Sequence, residues 1–129
     1  MASYESAKSI TLTAGSDFTG DIYKLVAITG DDTCDVVSGL TDMAVGVIAE
    51  EVTSGRSCGI VLLQGRVKVQ AGGNITAGQI LVPAADGQVT GTAIGSMSAD
   101  VLGVGIALEA AADGQNFEML AMPIAQSGA

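Results

Sequence analysis

Apolar and polar residues alternate in short runs along most of this chain, and glycines separate the runs. Residues 9–14, SITLTA, set Ile10, Leu12 and Ala14 against Ser9, Thr11 and Thr13, the period of two that marks a half-buried strand. A second run, residues 22–29, ends at Gly30, Asp31 and Asp32, and Val36 with Val37 predicts a short third strand before a turn at Gly39. Over residues 63–71 the alternation is strict, with Leu63, Gly65, Val67, Val69 and Ala71 on one face and Gln64, Arg66, Lys68 and Gln70 on the other. Just upstream, Ile60 and Leu62 share parity with Gln64 yet are as apolar as Val61 and Leu63. The pattern predicts one strand that passes from a doubly covered environment into one open to water. Either a second layer or a neighbouring subunit must cover Ile60 and Leu62.

Residues 71–74, AGGN, close that strand, Gly78 turns the chain, and residues 79–82 resume an extended run. PAADG at residues 83–87 carries the Asp-Gly signature of a tight hairpin, residues 88–92 return, and residues 93–100 read as a loop or an edge strand. The stretch at residues 45–71 has a fainter echo at residues 104–124. At a constant offset of 59 the two match Gly46 with Gly105, Glu50 with Glu109 and Gly55 with Gly114. Each copy reads as an apolar segment, an acidic bend and a second apolar segment, the form of a hairpin or bent strand pair. Residues 106–112, IALEAAA, have good helix propensity, but Gly103, Gly105 and Gly114 hem them in, so strand competes with a short helical turn there. The pattern therefore predicts an all-β, small barrel-like fold with Gly-rich turns. It divides the chain into a mobile N-terminal arm at residues 1–8, one domain at residues 9–125 and a tail at residues 126–129.

Composition adds a reason to expect assembly. Charged residues make up 15% of the chain against 48% apolar, well under the roughly 25% charge of an ordinary soluble domain, so polar side chains are too few to cover a monomer comfortably. Subunit contacts are the simplest place for the excess apolar surface. With no Trp, two Phe and two Tyr, the core must be aliphatic. A net charge of −9 with five basic residues argues against nucleic acid, which needs a basic patch to displace counterions. No run approaches the roughly 18 apolar residues that a membrane-spanning helix requires. The first residues lack the pattern of a signal peptide, so synthesis in the cytoplasm is expected.

The residues offer no catalytic constellation. The absence of histidine removes the commonest general base and zinc ligand together, and neither a nucleophile elbow nor a phosphate loop is present. Asp31, Asp32, Asp35 and Asp42 suggest a calcium loop, yet Val36 falls where such a loop needs glycine and Asp42 where it needs glutamate, so they read as a solvated turn. Glu50, Glu51 and Glu109 read as solvated bends, without the aromatic platform of a glycosidase. Cys34 and Cys58 lack metal-site spacing and read as free buried thiols, with a bridge between them as the alternative in an oxidising setting. No cofactor and no metal are expected. Arg56, Arg66 and Lys68 are either a wet strand face or a contact patch for an acidic partner.

Read whole, the succession SITLTA, VGVIAEEVTSGRSCGIVLLQGRVKVQAGGNITAGQILVPAADGQV and VLGVGIALEAAADGQNFEMLAMPI resembles the small capsid decoration, or cement, proteins of tailed bacteriophages. Gln79 stands where that family usually has an acidic residue, and Ile48 and Ala49 depart slightly from its first GVA phrase. The resemblance implies a β-tulip type of barrel, a homotrimer and no catalytic residues. It also implies a seat on the capsid exterior at three-fold or quasi-three-fold positions, with the major capsid protein as partner. An N-terminal arm lying over neighbouring subunits would bring Ser3, Tyr4 and Lys8 into contact, alongside Arg56, Ile60, Leu62, Arg66 and Lys68. A swinging-arm carrier domain shares some phrases, but its modified lysine should occupy a hairpin turn that here reads Ala84, Ala85, Asp86, Gly87. A trimeric tail-fibre or host-adhesion domain that binds surface glycans is the main alternative.

Overall fold

The structure, a computed structural model, describes residues 8–39, 42–92 and 101–126. Among the described residues there are ten strands: β1 Ser9–Ala14, β2 Leu25–Gly30, β3 Thr33–Val36, β4 Ala44–Ile48, β5 Ser57–Leu62, β6 Gly65–Gln70, β7 Ile80–Pro83, β8 Val89–Thr92, β9 Val101–Ala107 and β10 Asn116–Gln126. Among the described residues the only helical element is a 3-10 turn at Ala85–Gly87. The apolar stretch beginning at Ile106 is therefore the end of β9 and a bend, not a helix. Strands β1 to β5 form a closed barrel in the order β1-β3-β2-β4-β5, and β6 to β10 form a sheet in the order β6-β10-β9-β7-β8.

Replacing each strand of the second sheet by the one five places earlier gives β1-β5-β4-β2-β3, the same circular order as the barrel. The register repeats as well. Ile10 faces Ile60 as Val67 faces Met119, Leu25 faces Val47 as Ile80 faces Ile106, and Ile28 faces Cys34 as Pro83 faces Val89. The parallel pairing of Ala14 with Cys34 that closes the barrel has its counterpart in a single parallel bridge from Ala71 to Val89. The second sheet is thus a barrel of the same form, held shut by one bridge and open elsewhere between β6 and β8. The barrel form expected from the pattern is realised twice.

The two interiors correspond position by position. Leu12, Ala14, Phe18, Val26, Cys34, Ile48, Cys58 and Ile60 fill the first, and Val69, Ala71, Ile75, Leu81, Val89, Ala107, Phe117 and Met119 occupy the equivalent places in the second, all buried. Large and small side chains trade places, Phe18 for Ile75 and Cys58 for Phe117. Both sets carry the same number of side-chain non-hydrogen atoms, as close packing of one backbone form requires. The single strand expected to run from Ile60 through residue 71 is instead two, β5 and β6, in different sheets. Gly65, at φ 68°, takes the left-handed conformation that lets the chain leave one barrel and start the next. The change of pattern at Ile60 to Gln64 is that boundary.

The barrels are joined through their sides. Leu25, Val37 and Val47, which point away from the first interior, are buried in one continuous core with the second barrel, and Ala27, Ala44, Val61 and Leu63 flank them. The 3-10 turn locks the seam: Gly87 donates its N–H to Val37 O at 2.9 Å, and Lys24 Nζ bonds Asp86 Oδ2 at 3.0 Å. Lys24 also pairs with Asp21 at 3.2 Å. Burial works against its charge, but the two carboxylates together hold its pKa above the ordinary lysine value. Lys68 of β6 lies 5.5 Å from the centre of the Tyr23 ring, a cation–π contact across the same seam.

Candidate functional site

The residues singled out from the sequence do not converge on one site. Arg66 and Lys68 both project from the wet face of β6, as the alternation requires. Arg66 Nε bonds Glu118 Oε1 of β10 at 2.7 Å, and Lys68 reaches Tyr23, so both cations have partners within the chain. Arg56 is exposed in the β4–β5 loop and lines a shallow polar cleft of about 590 Å³ with Glu51, Val52, Thr53 and Ser57. Lys8 is exposed, and its carbonyl accepts the Leu62 N–H at 2.8 Å. Ser3 and Tyr4 lie outside the described residues.

Ile60 requires a correction. Its side chain is wholly enclosed in the first barrel, so the second layer that covers it belongs to its own sheet, and it has no surface to offer a subunit or a capsid. Leu62, at the end of β5, is half-buried and keeps some exposure.

Several acidic residues have partners within the chain, hydroxyls or backbone N–H groups. Asp35 accepts the hydroxyls of Ser16 and Thr29, each at 2.7 Å, and Asp42 accepts the N–H and hydroxyl of Ser38 at 2.7 and 2.9 Å, which lowers its pKa. Glu51 accepts the Gly20 N–H at 3.0 Å. Glu50 and Glu109 have one job in the two repeats: Glu50 accepts the Gly59 N–H at 3.2 Å and Glu109 the Glu118 N–H at 2.9 Å, each tying the bend to the strand that follows. Among the described residues no three potential ligands group to hold a metal, and no helix is long and apolar enough to cross a membrane.

Cys34 and Cys58 are free and buried inside the first barrel. Burial pushes the Cys34 thiol up to about 11, with smaller contributions from Cys58 and Asp35, and raises Cys58 as well. Such thiols stay protonated near neutrality and are poor nucleophiles.

What the surface does offer is apolar. Ile10, Ile28, Leu120 and Met122 are between 40% and 51% exposed, and Met43 more so. Met43, Leu63, Leu102, Met122 and Pro123 line a cleft of about 250 Å³ at the junction of the two barrels. Sequence periodicity could not find this surface, because its members come from strands far apart in the chain. Such surface suits protein contact better than small-molecule chemistry.

Comparison with known proteins agrees with that character. No curated protein matches the chain. Among solved structures, the fold is similar to the crystal structure of the head fiber gp8.5 N base of bacteriophage phi29, with TM-score 0.66 and 24% identity over 89% of this chain and 93% of that one. A family described as phage cement protein matches residues 5–122. Nearly the whole described double barrel falls within that match, and the chain belongs to the phage cement protein family.

Proposed function

We propose that this protein binds the outer surface of a phage capsid as a trimer and stabilises the shell by bridging neighbouring copies of the major capsid protein. Family membership across residues 5–122 is the observation that carries this reading, and it supports a structural, capsid-associated role. The cement-protein family match is what favours the shell over the tail-fibre or glycan-binding alternative.

The mechanism needs only binding. A trimer that touches three shell subunits raises the effective concentration for the second and third contacts, so individually weak patches sum to a firm clamp. Because the clamp binds the assembled shell and not its separated subunits, mass action shifts stability toward the shell. Lys8, Arg56 and Leu62 remain exposed enough to take part. Heating purified heads with and without the protein tests the proposal. A higher rupture temperature at full occupancy is expected, and equal temperatures would count against it.

A further inference from the structure

The contact between the two barrels is one-sided, and the repeat supplies a second, unused copy of each side. One side is a face of the first barrel: Leu25, Val37 and Val47, flanked by Val61 and Leu63. The other is the side of the second barrel around the gap between β6 and β8, where Val67 and Pro83 are buried and Asp86 and Gly87 meet Lys24 and Val37. The strand registers carry each side onto the opposite barrel. The face of the first barrel maps to Ile80, Ile106, Leu120 and Met122 of the second. The side of the second maps to Ile10, Ile28, Asp31 and Asp32 of the first.

Four of the large apolar residues exposed on the described surface fall in these unused copies, while Ile80 is buried and Met43 and Leu108 lie elsewhere. Leu120 and Met122 are 42% and 40% exposed where their counterparts Val61 and Leu63 pack on the shared core. Ile10 and Ile28 are 41% and 51% exposed where Val67 is 3% exposed and Pro83 is buried. We infer that a second copy of this chain covers them. The Leu120 face of one copy docks on the Ile10 and Ile28 side of the next, repeating between chains the contact that joins the barrels within one. A contact between unlike surfaces propagates in one direction, and closes into a ring when its rotation divides a full turn. The number of copies at closure rests on the proposed trimer, which would set six barrels around one axis.

The repeat is imperfect where the charges lie. Lys24 is replaced by Gln79, and Lys68 and Tyr23 by Thr11 and Gly78, so the contact between copies has neither the ion pair nor the cation–π contact of the seam. It depends on the apolar residues, which makes them the right place to intervene.

Solution mass by light scattering on the full chain, with Leu120→Glu and Ile28→Glu, tests the inference. The wild-type chain is expected as a closed assembly and each variant as a monomer at the same concentration, with circular dichroism unchanged. An equimolar mixture should yield a two-chain species and nothing larger, since it pairs one intact face with one intact side and cannot propagate. If either variant loses its circular dichroism, Met122→Lys or Ile10→Lys replaces it. A folded variant that keeps the wild-type mass, or folded variants whose mixture stays monomeric, would overturn the contact. Heads whose heat resistance ignores a chain that assembles this way would sink the capsid reading and leave the contact standing.

Discussion

Gly87 should be among the least replaceable residues of the chain, because two independent penalties meet there. Its φ of 70° lies in the left-handed region, which costs an ordinary residue roughly 1–2 kcal/mol. A Cβ at this position would lie 2.7 Å from Val36 Cγ1, 2.8 Å from Lys24 Cβ and 3.2 Å from Leu25 O, all inside the packed seam. Forcing a methyl group into such a space costs about 1–3 kcal/mol more, so Gly87→Ala should lose roughly 2–5 kcal/mol. Gly114 separates the terms: its φ is 83° but nothing lies within 4 Å of its Cβ position, so Gly114→Ala should lose only the roughly 1–2 kcal/mol of conformation. Urea unfolding of both variants, with the slope checked for two-state behaviour, measures the difference. Equal losses for the two alanines would mean that the 3-10 turn is not pressed against the first barrel, and the seam as described would be wrong.

Further substitutions probe other levels of the fold. Phe18→Ala and Phe117→Ala should each cost about 3–5 kcal/mol in urea unfolding, since each is the largest side chain of its interior. Cys58→Phe should overpack the first barrel by about 1–3 kcal/mol, and adding Phe18→Ile, which copies the second interior, should recover part of the loss. Arg66→Ala should change stability by less than about 1 kcal/mol, because its pair with Glu118 is exposed to water. Raised thiol pKa values predict that stability is insensitive to these groups below the ordinary thiol range and falls as pH rises toward about 11, because the unfolded thiols ionise first. Alkylation of Cys34 and Cys58 at pH 8 should accordingly be slow in the folded chain and fast in urea.

Much of the strand content was legible because alternation reports burial directly. SITLTA is β1 residue for residue, although Ile10, which shares the parity of Leu12 and Ala14, stays largely exposed. The repeat was legible only in part. At one constant offset the match covers β4 to β5 against β9 to β10, where loop lengths agree. The spacing changes for β1 to β3, because the loops before and after the equivalent turns differ in length. The interiors hide it further, since close packing conserves total volume and lets Phe18 become Ile75 while Cys58 becomes Phe117. Glycine marks survive better. Gly55 and Gly114 both adopt positive φ, whereas Tyr23 holds at φ 75° a place that Gly78 fills in the other repeat. Ile60 shows the limit of parity: a residue apolar on the unexpected face signals a second covering layer, but not whether that layer belongs to another subunit.

An electron-microscopy map of heads saturated with the protein would show whether it clamps the shell. Added density is expected on the outer surface where three shell subunits meet, with barrels in a closed ring and each copy touching the shell. Heads that remain bare after incubation, or density confined to the tail, would contradict it.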